Sequence, residues 1–292
     1  VGGHEPVLLH EALELLAVRP GGLYVDGTVG LGGHAAEVLR RSAPDGRLLG
    51  LDRDGETLER ARGHLEEFGS RVRLEQADFR EIPERVGGEA PAGVLLDLGV
   101  NSVQLDTAER GFSFRSEGPL DMRLDRASGY TAADVVNDLP EKELADVIYR
   151  YGEERASRHI AHAIVNARRR SPLRTTTELA EVVRRAAGRS RRPGLDPATL
   201  TFQALRIYVN RELDRLGEAL REIAATLAPG GRLAVIAFHS LEDREVKQTF
   251  RDLHRHGFLL LTRKPLRAGE EEVRRNPRAR SARLRGLLRE AA

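Results

Sequence analysis

Asp26-Gly27-Thr28-Val29-Gly30-Leu31-Gly32-Gly33-His34 is the stretch on which the fold turns. A short apolar run, Leu23-Tyr24-Val25-Asp26, leads into it, and a helical pattern from His34 to Arg41 leads out. Strand, glycine-rich turn and helix in that order open a nucleotide-binding α/β unit. Glycine permits the tight turn and lets a ligand approach the backbone closely. Working outward, Arg47–Asp52, Val72–Asp78 and Ala92–Asp97 read as further strands, with a helix over Asp54–Phe68 between two of them. Short apolar strands alternating with helices imply a parallel sheet covered on both faces. Asp26, Asp52, Asp78 and Asp97 all close a strand. In an open parallel sheet that edge is where ligands sit, near the reversal of strand order. The ordinary use of a single aspartate there is a helix N-cap or a turn. Four at successive strand ends favour a shared ligand-binding edge.

Further out, the pattern changes. His4–Val18 spaces its apolar residues as an amphipathic helix, stopped by Pro20-Gly21-Gly22. From about Gln104 to Leu205 no buried strand is evident. Helical patterns cover Ala132–Asn137, Glu141–Tyr149, Glu154–Arg170 and Thr177–Ala187. A long helix, Phe202–Leu227, then leads back to a strand at Arg232–Phe238, a helix at Leu241–His254 and a strand beginning at Phe258–Thr262. The reading is an α/β domain of residues 1–104 and 206–292, interrupted by a helical domain of residues 105–205 suited to substrate recognition.

Composition narrows the chemistry. With 40% hydrophobic and 32% charged residues, the 292-residue chain has the balance of a globular protein. It has no cysteine, which excludes disulfides, thiolate zinc sites and a cysteine nucleophile. No metal-ligand cluster is evident, and none is expected for catalysis. No 18-residue apolar run or signal-peptide pattern is visible, so a cytoplasmic protein away from membranes is expected. The net charge is +2, yet the basic residues are nearly all arginine and they cluster. One cluster is Arg168, Arg169 and Arg170, and another is Arg189, Arg191 and Arg192. The last part of the chain carries Arg274, Arg275, Arg278, Arg280, Arg283 and Arg285. Such clusters suit a polyanion, since the guanidinium fork fits phosphate. A GC-rich genome also enriches arginine.

The glycine turn admits a rival reading. Gly30-Leu31-Gly32-Gly33-His34-Ala35 satisfies the loose G-x-G-x-x-G/A pattern of NAD proteins, with an acid about 20 residues on. Asp26 argues against a dinucleotide, because it would crowd a pyrophosphate. It suits instead a ligand with an amino-acid end. Asp78 is placed to accept from an adenine amino group.

These residues resemble a specific family. His4-Glu5-Pro6-Val7-Leu8-Leu9, Asp26-Gly27-Thr28 with Gly32-Gly33-His34, Leu96-Asp97-Leu98-Gly99-Val100 and Arg110-Gly111-Phe112-Ser113-Phe114-Arg115 are similar to motifs of the RsmH (MraW) family. So are Gly118-Pro119-Leu120-Asp121-Met122-Arg123, Tyr151-Gly152-Glu153-Glu154, Phe202 to Asn210, Phe238-His239-Ser240-Leu241-Glu242-Asp243-Arg244 and Asn276 to Ser281. Members of that family methylate the exocyclic N4 of a cytidine in bacterial small-subunit ribosomal RNA. The resemblance implies a class I S-adenosylmethionine methyltransferase fold, a Rossmann-like parallel sheet with an inserted helical domain. It further implies that S-adenosyl-L-methionine contacts Gly32, Gly33, His34, Asp52, Phe79, Asp97 and Gln104. Asp78 joins them here from its place at a strand end. The partner implied is small-subunit ribosomal RNA or the assembling subunit; oligomeric state is left open. Asn101 and Val103 stand where serine and proline are expected in the family, and Asp196 where histidine is expected.

Methyl transfer is an in-line displacement, so positioning supplies much of the catalysis. Acceptors for the protons of the target amine raise electron density on its nitrogen. Amino-methyltransferases often place an Asn/Asp-Pro-Pro-aromatic tetrapeptide after the fourth strand; here that place reads Asp97-Leu98-Gly99-Val100-Asn101-Ser102. Asn101 is therefore the expected amide acceptor. His239, after the fifth strand, is expected to bind the target nucleotide or to take a proton late; its alternative is a structural hydrogen bond. Phe112, Phe114 and Tyr130 suit either base stacking or core. Arg110, Arg115 and Arg123 suit either phosphate contacts or surface ion pairs. The competing functions are a NAD-linked oxidoreductase and a non-catalytic RNA-binding assembly factor.

Overall fold

The computed structural model describes residues 6–127, 129–188 and 194–291. His4, Glu5 and the cluster at Arg189, Arg191 and Arg192 lie outside them. The chain divides into two compact units, one of Val1–Gly99 with Arg215–Ala292 and one of Val100–Asp214.

In the first unit α1 (Leu9–Leu16) starts after Leu8, whose φ of 52° makes a left-handed entry. The helix is thus shorter than the His4–Val18 pattern. It is followed by β1 (Leu23–Asp26), α2 (Gly33–Arg41), β2 (Arg47–Asp52), α3 (Gly55–Leu65), β3 (Val72–Gln76), α4 (Ile82–Arg85) and β4 (Gly93–Asp97). The second unit is helical: α5 (Ser102–Asp106), α6 (Ala132–Asp138), α7 (Glu141–Gly152), α8 (Ser157–Arg168), α9 (Thr176–Ala187) and α10 (Thr199–Asn210). The first unit resumes with α11 (Leu216–Thr226), β5 (Arg232–Ala237), α12 (Ser240–Leu253), β6 (Phe258–Leu260), α13 (Glu270–Arg275) and β7 (Arg283–Arg289).

The seven strands lie in the order β3-β2-β1-β4-β5-β7-β6. β1 pairs in parallel with β2 and β4, β2 with β3, and β4 with β5. β7 runs antiparallel between β5 and β6. The order reverses between β1 and β4, which is where open α/β sheets bind ligands. Leu48, Leu95, Ala234, Ile236 and Leu284 bring the strands into a core that also takes Leu13, Leu39 and Leu65 from the helices and Leu8 from the entry to α1. Each fully buried leucine stabilises the fold by roughly 1.5–3 kcal/mol.

β7 corrects the sequence reading, which treated this stretch as a basic tail. Leu284 and Leu287 are buried, and so is Arg285. Asp243 of α12 accepts from Arg285 Nε at 2.8 Å and from Arg283 Nη1 at 2.9 Å. Burial pushes the Asp243 carboxyl up, but the two guanidiniums more than offset this and leave it below its ordinary value. Arg283 and Arg285 are thus engaged inside the fold. The strand was hard to see because Arg283 and Arg285 are neutralised by Asp243, 40 and 42 positions away.

The expected long helix Phe202–Leu227 is also two helices. Arg211 and Arg215 take left-handed φ values of 50° and 53° between α10 and α11. Asn210 ends α10 from a buried position. Its amide donates to Met122 O at 2.7 Å and to Arg206 O at 2.9 Å, and accepts from Leu124 N at 2.8 Å. It thereby holds the Met122 turn, where φ is 63°. A side chain that satisfies three backbone groups is worth more here than one more helical turn.

The helical unit has its own core, in which Leu144, Ile148, Ile160, Ile164, Leu179, Val183, Phe202 and Leu205 interdigitate. Phe112 is part of it, and Phe114 packs edge-on against Phe202 at 4.8 Å. Both are core rather than base platforms. Tyr130 is exposed. Arg110 is buried and donates to Arg123 O and Leu124 O, so it braces that turn. Arg123 is held bidentately by Asp121.

Candidate active site

β1 hands the chain to the glycine turn through Asp26, which is buried. One carboxylate oxygen accepts from Thr28 N at 3.2 Å. Thr28 Oγ1 in turn accepts from Asp97 N at 2.6 Å, tying the end of β1 to the end of β4. Gly27 N reaches Leu95 O at 2.9 Å across the same junction. A Cβ on Gly27 would meet Leu96 Cδ2 at 2.5 Å and Phe79 Cβ at 2.9 Å, so only glycine lets the two strand ends close.

The turn is drawn onto β2 by Asp52, whose Oδ2 accepts from Gly30 N at 2.9 Å and Oδ1 from Asp54 N at 2.9 Å. Gly32 has φ +86° and caps α2. A Cβ on Gly33 would lie 2.4 Å from Pro6 Cγ. Beside it, His34 Nε2 lies 3.0 Å from Val7 O. A carbonyl only accepts, so Nε2 carries the proton. Nδ1 faces Asp97 Oδ2 at 3.9 Å. The segment at Pro6 and Val7 therefore fixes the turn from outside.

Three carboxyls converge on this edge, and burial holds all of them against ionisation. Asp26 is pushed up to about 7 by burial, with Asp52 adding to the shift. Asp52 is pushed up to about 6, again mainly by burial, with its backbone donors opposing. Asp97 lies well above its ordinary value, first through burial and then through Asp26 and Glu242. Its Oδ1 is sealed from solvent with no hydrogen bond from any described residue, while the side chain as a whole keeps 26% of its surface. A buried polar atom without a partner costs free energy unless a ligand satisfies it. A ligand with hydrogen-bond donors and positive charge fits this edge, and a pyrophosphate does not.

The other expected residues fall around this core of the site or apart from it. Phe79 is buried behind the β1 turn, with the Arg80 guanidinium 4.9 Å from its ring centre. Asp78 accepts from Arg80 N at 2.9 Å and lies 2.7 Å from the Arg80 guanidinium and 3.3 Å from that of Arg53. His239 begins α12: its Nδ1 accepts from Glu242 N at 3.3 Å. Nδ1 is therefore unprotonated and the proton of the neutral ring is on Nε2. That atom is 3.1 Å from Glu242 Oε1 but not aligned for a hydrogen bond. Glu242 is buried and closes the turn by accepting from Phe238 N and His239 N. Sequence reasoning singled out His239 and missed Glu242; the signal was the spacing His-x-x-Glu of a capping box. Asn101 and Gln104 lie in the helical unit. Asn101 Oδ1 accepts from Gln104 N, and Gln104 Oε1 from Asn101 N, each at 2.9 Å. Among the described residues no helix is long and apolar enough to cross a membrane.

The MraW methylase family model matches residues 2–290. A relative from Syntrophotalea carbinolica, named ribosomal RNA small subunit methyltransferase H, is 52% identical, with 98% of both chains covered. One of the same name from Symbiobacterium thermophilum is 51% identical, covering 98% of this chain and 96% of its own. The crystal structure of an rRNA methylase from Streptococcus thermophilus overlays with a TM-score of 0.47 at 13% identity, over 99% of each chain. By its sequence along nearly its whole length, the chain belongs to the MraW methylase family.

Proposed function

We propose that the protein is an S-adenosylmethionine-dependent methyltransferase acting on the exocyclic N4 of a cytidine in small-subunit ribosomal RNA. The observation that carries the reading is the sealed, unsatisfied Oδ1 of Asp97 at the reversal of strand order, among carboxyls that favour a cationic ligand. The names of the relatives support the RNA substrate. Bound S-adenosylmethionine supplies a methyl carbon made electrophilic by its sulfonium sulfur.

The chain's own residues hold and orient. Gly32, Gly33 and His34 present backbone at the turn, Asp52 and Asp97 accept from the ligand's donors, and Phe79 offers an apolar wall. Gln104 and Asp78 complete the proposed binding set. Asp78 enters with its charge already met by arginine, which leaves it lone pairs but little net charge. Asn101, at the N-cap of α5, is the proposed amide acceptor for a proton of the target amine. His239, with Nδ1 committed to the helix, is a donor at Nε2 rather than a base. Its fit is to an acceptor on the target nucleotide.

The test is transfer of tritiated methyl from S-adenosylmethionine to small-subunit ribosomal RNA, with thermal shifts by S-adenosylhomocysteine and NADH alongside. Transfer to RNA and a shift with S-adenosylhomocysteine alone are expected. A shift with NADH alone, or a shift without transfer, would refute the assignment.

A further inference from the structure

The arginines of this chain divide into two populations. Many that are described face a carboxylate, such as Arg47 on Glu89, Arg184 on Asp196 and Arg285 on Asp243. The segment of residues 263–280 is different. It carries seven lysines and arginines against three glutamates, an excess of four, while the whole chain has an excess of two. Without this segment the rest of the chain is net acidic.

The inner side of the segment is anchored. Leu266 pairs with Leu284 of β7 through N–H···O bonds of 2.9 and 3.0 Å. Ala268 and Ala279 pack into the core of the α/β unit. Glu272 Oε1 accepts from Leu8 N at 2.8 Å, which turns one of the three glutamates inward. Leu8 directly follows Val7, whose carbonyl holds His34. The segment is thus fixed to the N-terminal segment that braces the glycine turn. Its outer side holds Arg263, Lys264, Arg267, Arg274 and Arg280, all exposed. None of these five has a hydrogen bond, ion pair or ring contact from its side chain to any described residue.

The outer side of the anchored segment is thus net positive, and none of the five cations is ion-paired with a described carboxylate. A polyanion would match that charge. We propose that residues 263–280 form a phosphate-binding surface for the RNA, a contact of the α/β unit itself beside the proposed cofactor turn. The proposal rests on the function argued above and adds where the RNA backbone is held. Four of the five are arginines, whose planar forks grip phosphate bidentately. The surface positions the strand and carries no sequence reading of its own. It also separates Arg274 and Arg280 from Arg283 and Arg285, which looked equivalent in the sequence.

The test is a variant with Arg263→Gln, Lys264→Gln, Arg267→Gln, Arg274→Gln and Arg280→Gln, assayed as full chain. Binding to transcribed small-subunit ribosomal RNA is followed from 0.05 to 0.3 M salt, with phosphatidylglycerol vesicles as the competing polyanion. The variant is expected to melt like the parent and to keep its shift with S-adenosylhomocysteine. Its Kd for RNA near physiological salt should rise more than about tenfold, and the slope of log K against log salt should fall by about 0.7 for each cation that meets a phosphate. An unchanged Kd and slope would overturn the proposal. So would loss of vesicle binding with RNA binding intact. A parent protein that binds RNA in this way but shows no shift with S-adenosylhomocysteine would instead count against the cofactor reading, leaving the surface standing.

Discussion

Replacing Asp26 by asparagine should make the protein more stable at neutral pH, and the size of the gain follows from the burial of that one carboxyl. Asp26 titrates near 7 in the folded chain, against 3.8 for its ordinary value. The native state therefore binds this proton more tightly than the unfolded state does. Its contribution to stability is full below about pH 4 and is lost as the pH rises through 7. A shift of about three units at 1.36 kcal/mol each amounts to about 4 kcal/mol above pH 7. That is an upper bound, because Asp52 and Asp97 take up protons when Asp26 gives one up. About 2–4 kcal/mol is expected. Asparagine keeps the carbonyl that accepts from Thr28 N and never ionises. Urea unfolding of both proteins, without cofactor, at intervals from pH 4.5 to 8.5 measures the difference. The two curves should meet near the acid end, diverge as the pH rises towards 7 and keep a constant gap above it, with Asp26→Asn the more stable. Stability curves that stay parallel over the range would refute the reasoning. The same variant should bind S-adenosylmethionine more weakly at pH 8, since a charge that costs the empty protein is the one a cationic ligand uses.

Arg285→Ala should cost about 3–5 kcal/mol, because it leaves Asp243 buried with only Arg283 beside it. Chemical denaturation reads this directly, and a loss below about 1 kcal/mol would show that the pair is not sealed from water. At the start of α12, His239→Asn should keep the cap and melt like the parent, whereas His239→Ala should lose about 1 kcal/mol. If Nε2 is used as a donor, both variants lose methyl transfer; turnover near that of the parent in His239→Asn would confine the residue to capping. Asn101→Ala, assayed alongside, should lower turnover more than it raises the KM for RNA.

The α/β half was legible because its signals are local. Asp26, Asp52 and Asp97 stand at strand ends, and Gly32 and Gly33 open a helix, all within a few residues of the pattern that announces them. The membership in the family was legible from motifs for the same reason. What failed depends on distant partners. β7 carries arginines where a half-buried strand should show polar residues that need no partner, and Asp243, which makes them tolerable, lies 40 residues back. The break after Asn210 is set by a turn at Met122, 88 residues away. Phe112 and Phe114 looked available for stacking because nothing in the spacing reveals a neighbour such as Phe202. The tautomer of His239 was likewise invisible until Glu242 N was seen to donate to it. The five outer cations of residues 263–280 could be counted from the sequence, but not told apart from their paired neighbours.

The antiparallel strand wedged between β5 and β6 also sets the order in which this chain can mature. The helical unit is one uninterrupted stretch and is complete once Asp214 has left the ribosome. The sheet has to wait: its first four strands emerge early, yet β5 and β6 have no shared neighbour until Arg283–Arg289 arrives. Through that interval the backbone along one side of β5 stays open to any other extended chain. Shortening the nascent chain by even this one element should therefore yield an insoluble product rather than a weaker version of the same protein.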